Sequence, residues 1–260
     1  MDTDIVERVG DELYEALISK NARDPLSDQY QDMTIDDAYA IQQRLISRRV
    51  DSGEKIVGKK IGITSQAVMN MLNVFQPDFG CLLDGMSLSD GARVPVERLI
   101  QPKIEGEIAF VLKKDLIGPG ISSADVLAAT DFVMPCIEIV DSRIRNWRIK
   151  IQDTIADNAS CGMFVLGNTA ADPRALDLST CGMVLEKNGA VVATGAGAAA
   201  LGSPINSVVW LANALGSRGI PLRAGEVILS GALANMFDVC AGEHYRVTIS
   251  GMGSCSVSFF

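Results

Sequence analysis

From residue 56 onward the chain is written in short apolar runs bounded by glycine, and this grammar limits its fold more than any other feature. The runs cover 56–63, 105–112, 132–140, 162–166, 181–185, 191–194, 227–230, 245–249 and 254–259. Most are β-branched and too short for an ordinary helix, so they predict strands. Regular helices do not alternate with them, which disfavours a doubly wound parallel sheet. The expected architecture is α+β, with a mixed or antiparallel barrel-like sheet and helices outside it. Two helices are predicted within this part, at 123–129 and after Ser203. In the second, Ser203 caps, Pro204 takes the first turn, Val208, Leu211, Ala212 and Leu215 face inward, and Gly219 follows the end.

Before residue 54 the period changes. Ile5, Val9, Leu13, Ala16 and Leu17 recur at three- and four-residue steps, the spacing of one buried helix face. A polar loop is expected over 21–32. Thr34, followed by Asp37, forms a capping box with Asp in the usual Glu position, and Ala38, Ile41, Leu45 and Ile46 continue as a second amphipathic helix ended by Gly53. The chain therefore divides into an N-terminal helical lobe, 1–53, and a β-rich domain, 54–260.

Charge and cysteine usage narrow the function. With 23 Lys and Arg against 32 Asp and Glu, the net charge is −9, which argues against nucleic acid as a partner. No pair of the six cysteines has CxxC spacing, so neither a thiolate zinc site nor a vicinal redox pair is expected. The acidic, amphipathic start and the lack of a run of about 18 apolar residues argue against a signal peptide and a membrane span. A soluble cytoplasmic protein is the expectation.

Chemistry concentrates in a few segments. In Pro102-Lys-Ile-Glu-Gly-Glu-Ile, strand alternation puts Glu105 and Glu107 on one face, and Ile104, Ile108 and Phe110 on the other. An exposed strand face can also carry two glutamates, so the period alone does not choose. Glu138 tips the balance. It lies in an almost wholly apolar run, where a carboxylate must be neutralised, paired or metal-bound. With one histidine, His244, and no thiol cluster, Glu105, Glu107 and Glu138 form an oxygen-only donor set suited to Mg²⁺ or Mn²⁺, with Ca²⁺ a poorer match. Asp141 should face away from Glu138, as a partner for Arg143 or a structural residue.

Other candidates stay open on the residues alone. Lys59 and Lys60 point to opposite faces of one strand, and the surface is the commoner place for either. Asp157, Asn158 and Ser160 are plain turn residues or pocket contacts. The segment Gly195-Ala-Gly-Ala-Ala-Ala-Leu-Gly-Ser-Pro matches neither the dinucleotide nor the P-loop pattern. It reads better as a tight structural turn than as a seat for a substrate carboxylate. No serine has the flanking glycines of a hydrolase elbow.

Taken in order, Gly58-Lys-Lys-Ile-Gly-Ile-Thr-Ser, Gln76-Pro-Asp-Phe-Gly, Pro102-Lys-Ile-Glu-Gly-Glu-Ile, Glu138-Ile-Val-Asp-Ser-Arg, Ala156-Asp-Asn-Ala-Ser and the 195–204 segment resemble the 2-hydroxypenta-2,4-dienoate (2-oxopent-4-enoate) hydratases. These belong to the fumarylacetoacetase-like superfamily, and the resemblance runs essentially end to end. Departures from the sister 4-oxalocrotonate decarboxylases, before the motif lysine, at Gln76-Pro-Asp-Phe-Gly and at Ser203-Pro204, favour the hydratases. The resemblance implies a mixed β-roll core of the fumarylacetoacetase type, with Mg²⁺ or Mn²⁺ on Glu105, Glu107 and Glu138. It also implies Lys60 beside the metal, for proton transfer or enolate stabilisation, with Asp78 and Ser160 as pocket residues.

The reaction so implied adds water to a small 2-hydroxydienoate, giving 4-hydroxy-2-oxopentanoate, in aromatic meta-cleavage catabolism. The implied protein is a cytoplasmic homo-oligomer that associates with 4-oxalocrotonate decarboxylase. Decarboxylation of a 2-oxohex-3-enedioate through a shared enolate is the main alternative. Acylpyruvate hydrolysis and a non-catalytic scaffold are weaker ones, the scaffold because it has no use for converging carboxylates.

Overall fold

A computed structural model describes residues 1–260, the side chains of Met71 and Leu72 excepted. Helices α1 (Thr3–Ser19), α2 (Leu26–Gln29) and α3 (Ile35–Asp51) come first. Strand β1 (Ile56–Gly62), helix α4 (Gln66–Leu72) and strands β2 (Asp78–Leu83), β3 (Ser87–Leu88), β4 (Ala92–Val94) and β5 (Pro102–Leu112) follow. Next are α5 (Ser123–Ala129), β6 (Thr130–Asp141), α6 (Ile151–Ala156), β7 (Cys161–Leu166), β8 (Gly182–Lys187) and β9 (Ala190–Ala196). The chain ends with α7 (Pro204–Gly216), β10 (Val227–Leu229), β11 (Phe237–Asp238), β12 (His244–Ile249) and β13 (Gly253–Phe259).

The strands form two mixed sheets. The larger runs β2-β1-β10-β5-β6-β7-β3, with β11 also on β5, and the smaller runs β4-β13-β12-β8-β9. One face of β5, with Ile104, Ile108 and Phe110, enters the main hydrophobic core, as alternation predicts. Gly106 on this face lies under Met183 and Val247 of the smaller sheet, which leaves no room for a Cβ. The opposite face curls into a half-barrel whose floor is a second apolar cluster, including Ala109, Cys136, Phe164 and Leu229. The polar residues of the candidate site stand on this concave face.

The N-terminal helices do more than cover the sheet. Thr34 and Asp37 close the predicted capping box of α3, and Val9, Leu13, Ile41 and Leu45 join the same core as Ile61 of β1. Tyr39 stacks on Phe79 with ring centroids 4.3 Å apart. Buried Gln42 donates from Nε2 to the carbonyls of Phe79, at 2.8 Å, and Ile155, at 2.9 Å, tying α3 to β2 and α6.

Several local expectations need correction. The polar stretch 21–32 contains α2, whose Leu26 and Ser27 are buried because Asp153 of α6 accepts from the Ser27 amide and hydroxyl. Strand β2 and helices α4 and α6 escaped the periodicity because each has seven residues or fewer and mixes polar with apolar side chains. Ser203 occupies the N-cap of α7 but makes no side-chain cap bond. Gly195 and Gly197 abut the backbone carbonyls of Leu233 and Leu178, so the glycine-rich segment is a close-packed turn. The stretch Gly197–Gly216, 20 residues long, is apolar enough to cross a membrane by composition. Its helix begins only at Pro204, after left-handed Leu201 and Gly202, and 13 residues span about 20 Å, short of a bilayer core of about 30 Å.

Replacing Gln42 by Leu keeps the volume and removes one donor from each of two buried carbonyls. At about 0.5–1.5 kcal/mol for each hydrogen bond lost, Gln42→Leu should lower the unfolding free energy in urea by roughly 1–3 kcal/mol. A loss within experimental scatter would show that the amide is dispensable.

Candidate active site

The centre of the site follows from strand register. In the antiparallel pairing of β5 and β6, Glu105 stands directly opposite Glu138, and Glu107 opposite Cys136. Two carboxylates in a direct cross-strand pair repel each other, and a third two residues away on the same face adds to the repulsion. One oxygen from each of the three lies within 4.8 Å of the others. Glu107 is 1% exposed and Glu138 is fully buried. Among the described residues, both Glu138 oxygens and Glu107 Oε1 lack a hydrogen bond, while Glu107 Oε2 accepts from the Gly231 amide at 2.8 Å.

Ionisation in such a place is difficult. Burial, then the charge of Glu138, pushes Glu105 up to about 7, and the same causes hold Glu107 well above the usual carboxylate range. Orphaned oxygens, mutual repulsion and a hard donor set fit a divalent cation, which would supply the missing charge.

Part of that charge comes from Lys60. Burial opposes its protonation, but Glu138 and Asp78 outweigh this and hold its pKa above that of an ordinary lysine. Its Nζ lies 3.2 Å from Glu138 Oε1, out of hydrogen-bond alignment, and donates to the Ala159 carbonyl at 3.0 Å. Lys59, on the other face, pairs with Glu226 at 3.1 Å. Both lysines are therefore buried, against the expectation of surface positions, because each has found a carboxylate on its own face.

Asp78 opens β2 opposite Gly62, where a Cβ would strike its Oδ1. It is 1% exposed, both of its oxygens lack hydrogen-bond partners among the described residues, and burial raises its pKa. Ser160 is also buried, with Oγ 3.4 Å from Thr154 Oγ1 and 3.5 Å from Asp157 Oδ2. Lys60, Asp78, Glu105 and Ser160 all line one cavity of about 490 Å³. Glu107 and Glu138 lie behind it.

The predicted residues are thus brought together, with one change of partner nearby. Arg143 pairs with Asp157, not Asp141, and also donates to the Asp157 backbone carbonyl. Asp141 instead accepts from the Ile100 and Gln101 amides and holds the entry to β5. Thr154, Trp147, Ile149, Val68 and Met236 line the cavity's sides without any local signal of it in their own segments. Each reads as an ordinary helix or loop residue until the fold brings its segment to the concave face.

With this geometry in hand, comparison with other proteins is direct. The profile of the fumarylacetoacetate (FAA) hydrolase C-terminal family matches residues 72–259. The chain is 54% identical over 260 residues to a 2-hydroxyhexa-2,4-dienoate hydratase of Comamonas testosteroni, covering 99% of this chain and 98% of the relative. It is 59% identical over 221 residues to a 2-hydroxypent-2,4-dienoate hydratase of Pseudomonas putida, covering 85% and 100%. Among solved structures, the 4-oxalocrotonate decarboxylase of Pseudomonas putida G7, complexed with magnesium and adipate, superposes with a TM-score of 0.97 at 39% identity, covering 100% and 99%.

A carboxyl raised to about 7 carries a proton in the metal-free protein below that pH, and a cation must displace it. Cation affinity should therefore be greatest above pH 7 and fall by up to about tenfold per pH unit below it. Calorimetric titration in buffers of different ionisation enthalpy should detect proton release on binding. Affinity flat from pH 8 to pH 5.5 would contradict the assignment of these glutamates as ligands.

Proposed function

The chain belongs to the FAA hydrolase family, and within it we infer that the protein is a hydro-lyase adding water to a 2-hydroxypenta-2,4-dienoate-type substrate. The observation that carries the reading is the convergence of Glu105, Glu107 and Glu138 beside buried Lys60 and Asp78, in a chain 54–59% identical to two such hydratases.

Glu105, Glu107 and Glu138 would hold Mg²⁺ or Mn²⁺, a choice supported by their all-oxygen donor set and by the magnesium in the related decarboxylase structure. When bound, the cation supplies Lewis-acid stabilisation of the negative charge that develops on the substrate's 2-oxygen. The chain's own residues handle protons. The Lys60 ammonium, held beside the cavity, delivers a proton to C5 of the dienol, which leaves a 3,4-alkene conjugated with the 2-oxo group. Asp78, with both oxygens unpartnered and a raised pKa, orients the water for C4 and takes its proton. The 2-hydroxyl gives up its own proton as the 2-oxo group forms, which restores the Lys60 ammonium, and the water proton taken by Asp78 passes to C3, so substrate plus one water equals 4-hydroxy-2-oxopentanoate. Ser160 offers a hydroxyl for the substrate carboxylate.

The decarboxylase reading has an observation behind it, the near-complete superposition on the Pseudomonas putida G7 structure. The higher identity to hydratases weighs against it. We also read the protein as a cytoplasmic homo-oligomer able to associate with such a decarboxylase. Six free cysteines support a reducing compartment, and the exposed Ile117 and Val191 are compatible with subunit contacts.

Freshly generated 2-hydroxypenta-2,4-dienoate should lose its dienol absorbance with Mg²⁺ or Mn²⁺ but not with EDTA, and gain the mass of one water. In D₂O the product should carry one deuterium at C5 and one at C3. Carbon dioxide release from 2-oxohex-3-enedioate, without hydration of the dienoate, would move the protein to the decarboxylases. Lys60→Met should lower kcat by about 10²–10⁴-fold with cation binding retained, and near-normal turnover would remove Lys60 from the chemistry.

A further inference from the structure

The turn that supplies Ser160 to the cavity has an unusual backbone. Asn158, Ala159 and Ser160 have φ of 54°, 49° and 53°, three successive non-glycine residues in the left-handed region. Asparagine tolerates that region, whereas alanine and serine do so only at a cost of about 1–2 kcal/mol each. Such a run persists only where its surroundings over-determine it.

The surroundings do so from two sides. Upstream, Asp157 is gripped by Arg143, whose amide, Nε and Nη2 bond to its side chain and carbonyl, and by Ser142 Oγ at 3.0 Å. On the other side, the Asn158 side chain pairs with one residue of β2 as a neighbouring strand would. Its Oδ1 accepts from the Cys81 amide at 2.7 Å, and its Nδ2 donates to the Cys81 carbonyl at 2.9 Å. Gly80, which faces Lys60 in the β1–β2 register, lets the Asn158 carbonyl come so close that a Cβ there would collide with it. The result of this effort is one contact: the reversed backbone turns the Ala159 carbonyl onto Lys60 Nζ at 3.0 Å.

We propose that Asn158 is a positioning residue, which acts through the Ala159 carbonyl to aim the Lys60 ammonium between Glu138 and the cavity. Asn158 touches no reacting atom; its amide locks the left-handed turn to β2, and the turn locks Lys60. This assignment rests on the role given to Lys60 above. Without the carbonyl, the ammonium has only carboxylates to settle against, and it moves toward Glu138 and Asp78 and away from the substrate carbon.

The test is steady-state hydration of 2-hydroxypenta-2,4-dienoate with saturating Mg²⁺, alongside melting temperature and calorimetric cation affinity. Asn158→Gly removes the clamp while keeping a residue at ease with positive φ. Its kcat should fall about 10- to 100-fold, as expected of a misplacement near 1 Å, with KM and cation affinity within about threefold of wild type. Gly80→Ala pushes on the same turn from the β2 side and should reproduce the selective loss of kcat, so the proposal does not hang on one variant's folding.

An Asn158→Gly protein with wild-type kcat, or one in which kcat, KM and cation affinity all fail together, would overturn the positioning role. Lys60→Met, measured in parallel, separates the two readings. If it is inactive while Asn158→Gly is normal, only the present inference fails; if it turns over normally, the role of Lys60 fails and takes this inference with it.

Discussion

Everything distinctive in this molecule follows from one electrostatic conflict, the placement of Glu105 directly across from Glu138 with Glu107 beside them on a concave, largely dry sheet face. Cross-strand carboxylates repel, and each loses hydration on burial. A sheet built only for stability would have apolar residues there, as it does one step along at Ala109 and Cys136. The surrounding structure is arranged around the conflict. Lys60 brings a positive charge from β1, and the Gly231 amide takes one Glu107 oxygen. Glu107 Oε1 and both Glu138 oxygens stay without a hydrogen-bond partner among the described residues, a donor set that suits a divalent cation.

Holding those charges in place requires a stiff frame. The floor of the half-barrel is packed apolar residue on apolar residue, and the smaller sheet braces β5 from behind through the close approach at Gly106. The N-terminal helices add a second brace, since Gln42 and Tyr39 reach the two segments, β2 and α6, that carry Asp78 and Thr154. Glycine at positions 62, 80 and 106 lets the Asp78 carboxylate, the Asn158 carbonyl and the Met183 and Val247 side chains come closer than a Cβ would allow. The site is thus framed by absences of side chain as much as by their presence.

How much of this could be read in advance depended on how local the signal was. Alternation along β5 put Glu105 and Glu107 on one face, and the apolar run around Glu138 marked it as buried, so the acidic cluster was legible from spacing and burial logic alone. The N-terminal capping box and the helix at 123–129 were equally local. Lys60 and Ser160 were different: their residues alone fitted surface or turn positions, and only the family resemblance singled them out, together with Asp78. What was missed depends on distant partners. Lys59 is buried because Glu226 waits beside it, α2 exists because Asp153 caps it, and Arg143 chose Asp157 over nearer Asp141. No period within a short window carries such information.

The three glutamates all stand on β5 and β6, neighbouring strands joined by a single short helix, whereas Lys60 and Asp78 come from β1 and β2, and Ser160 from the turn before β7. The three carboxylates and the groups to which we assign proton handling therefore sit on different pieces of backbone, joined where β6 pairs with β7, where Arg143 holds Asp157 and where Lys60 approaches Glu138. Side chains on β1, β2 and the 157–160 turn can differ without altering the β5–β6 register that holds the carboxylates. A fold divided in this way can change what surrounds the acidic cluster while keeping the cluster itself, one half fixed and the other free to vary.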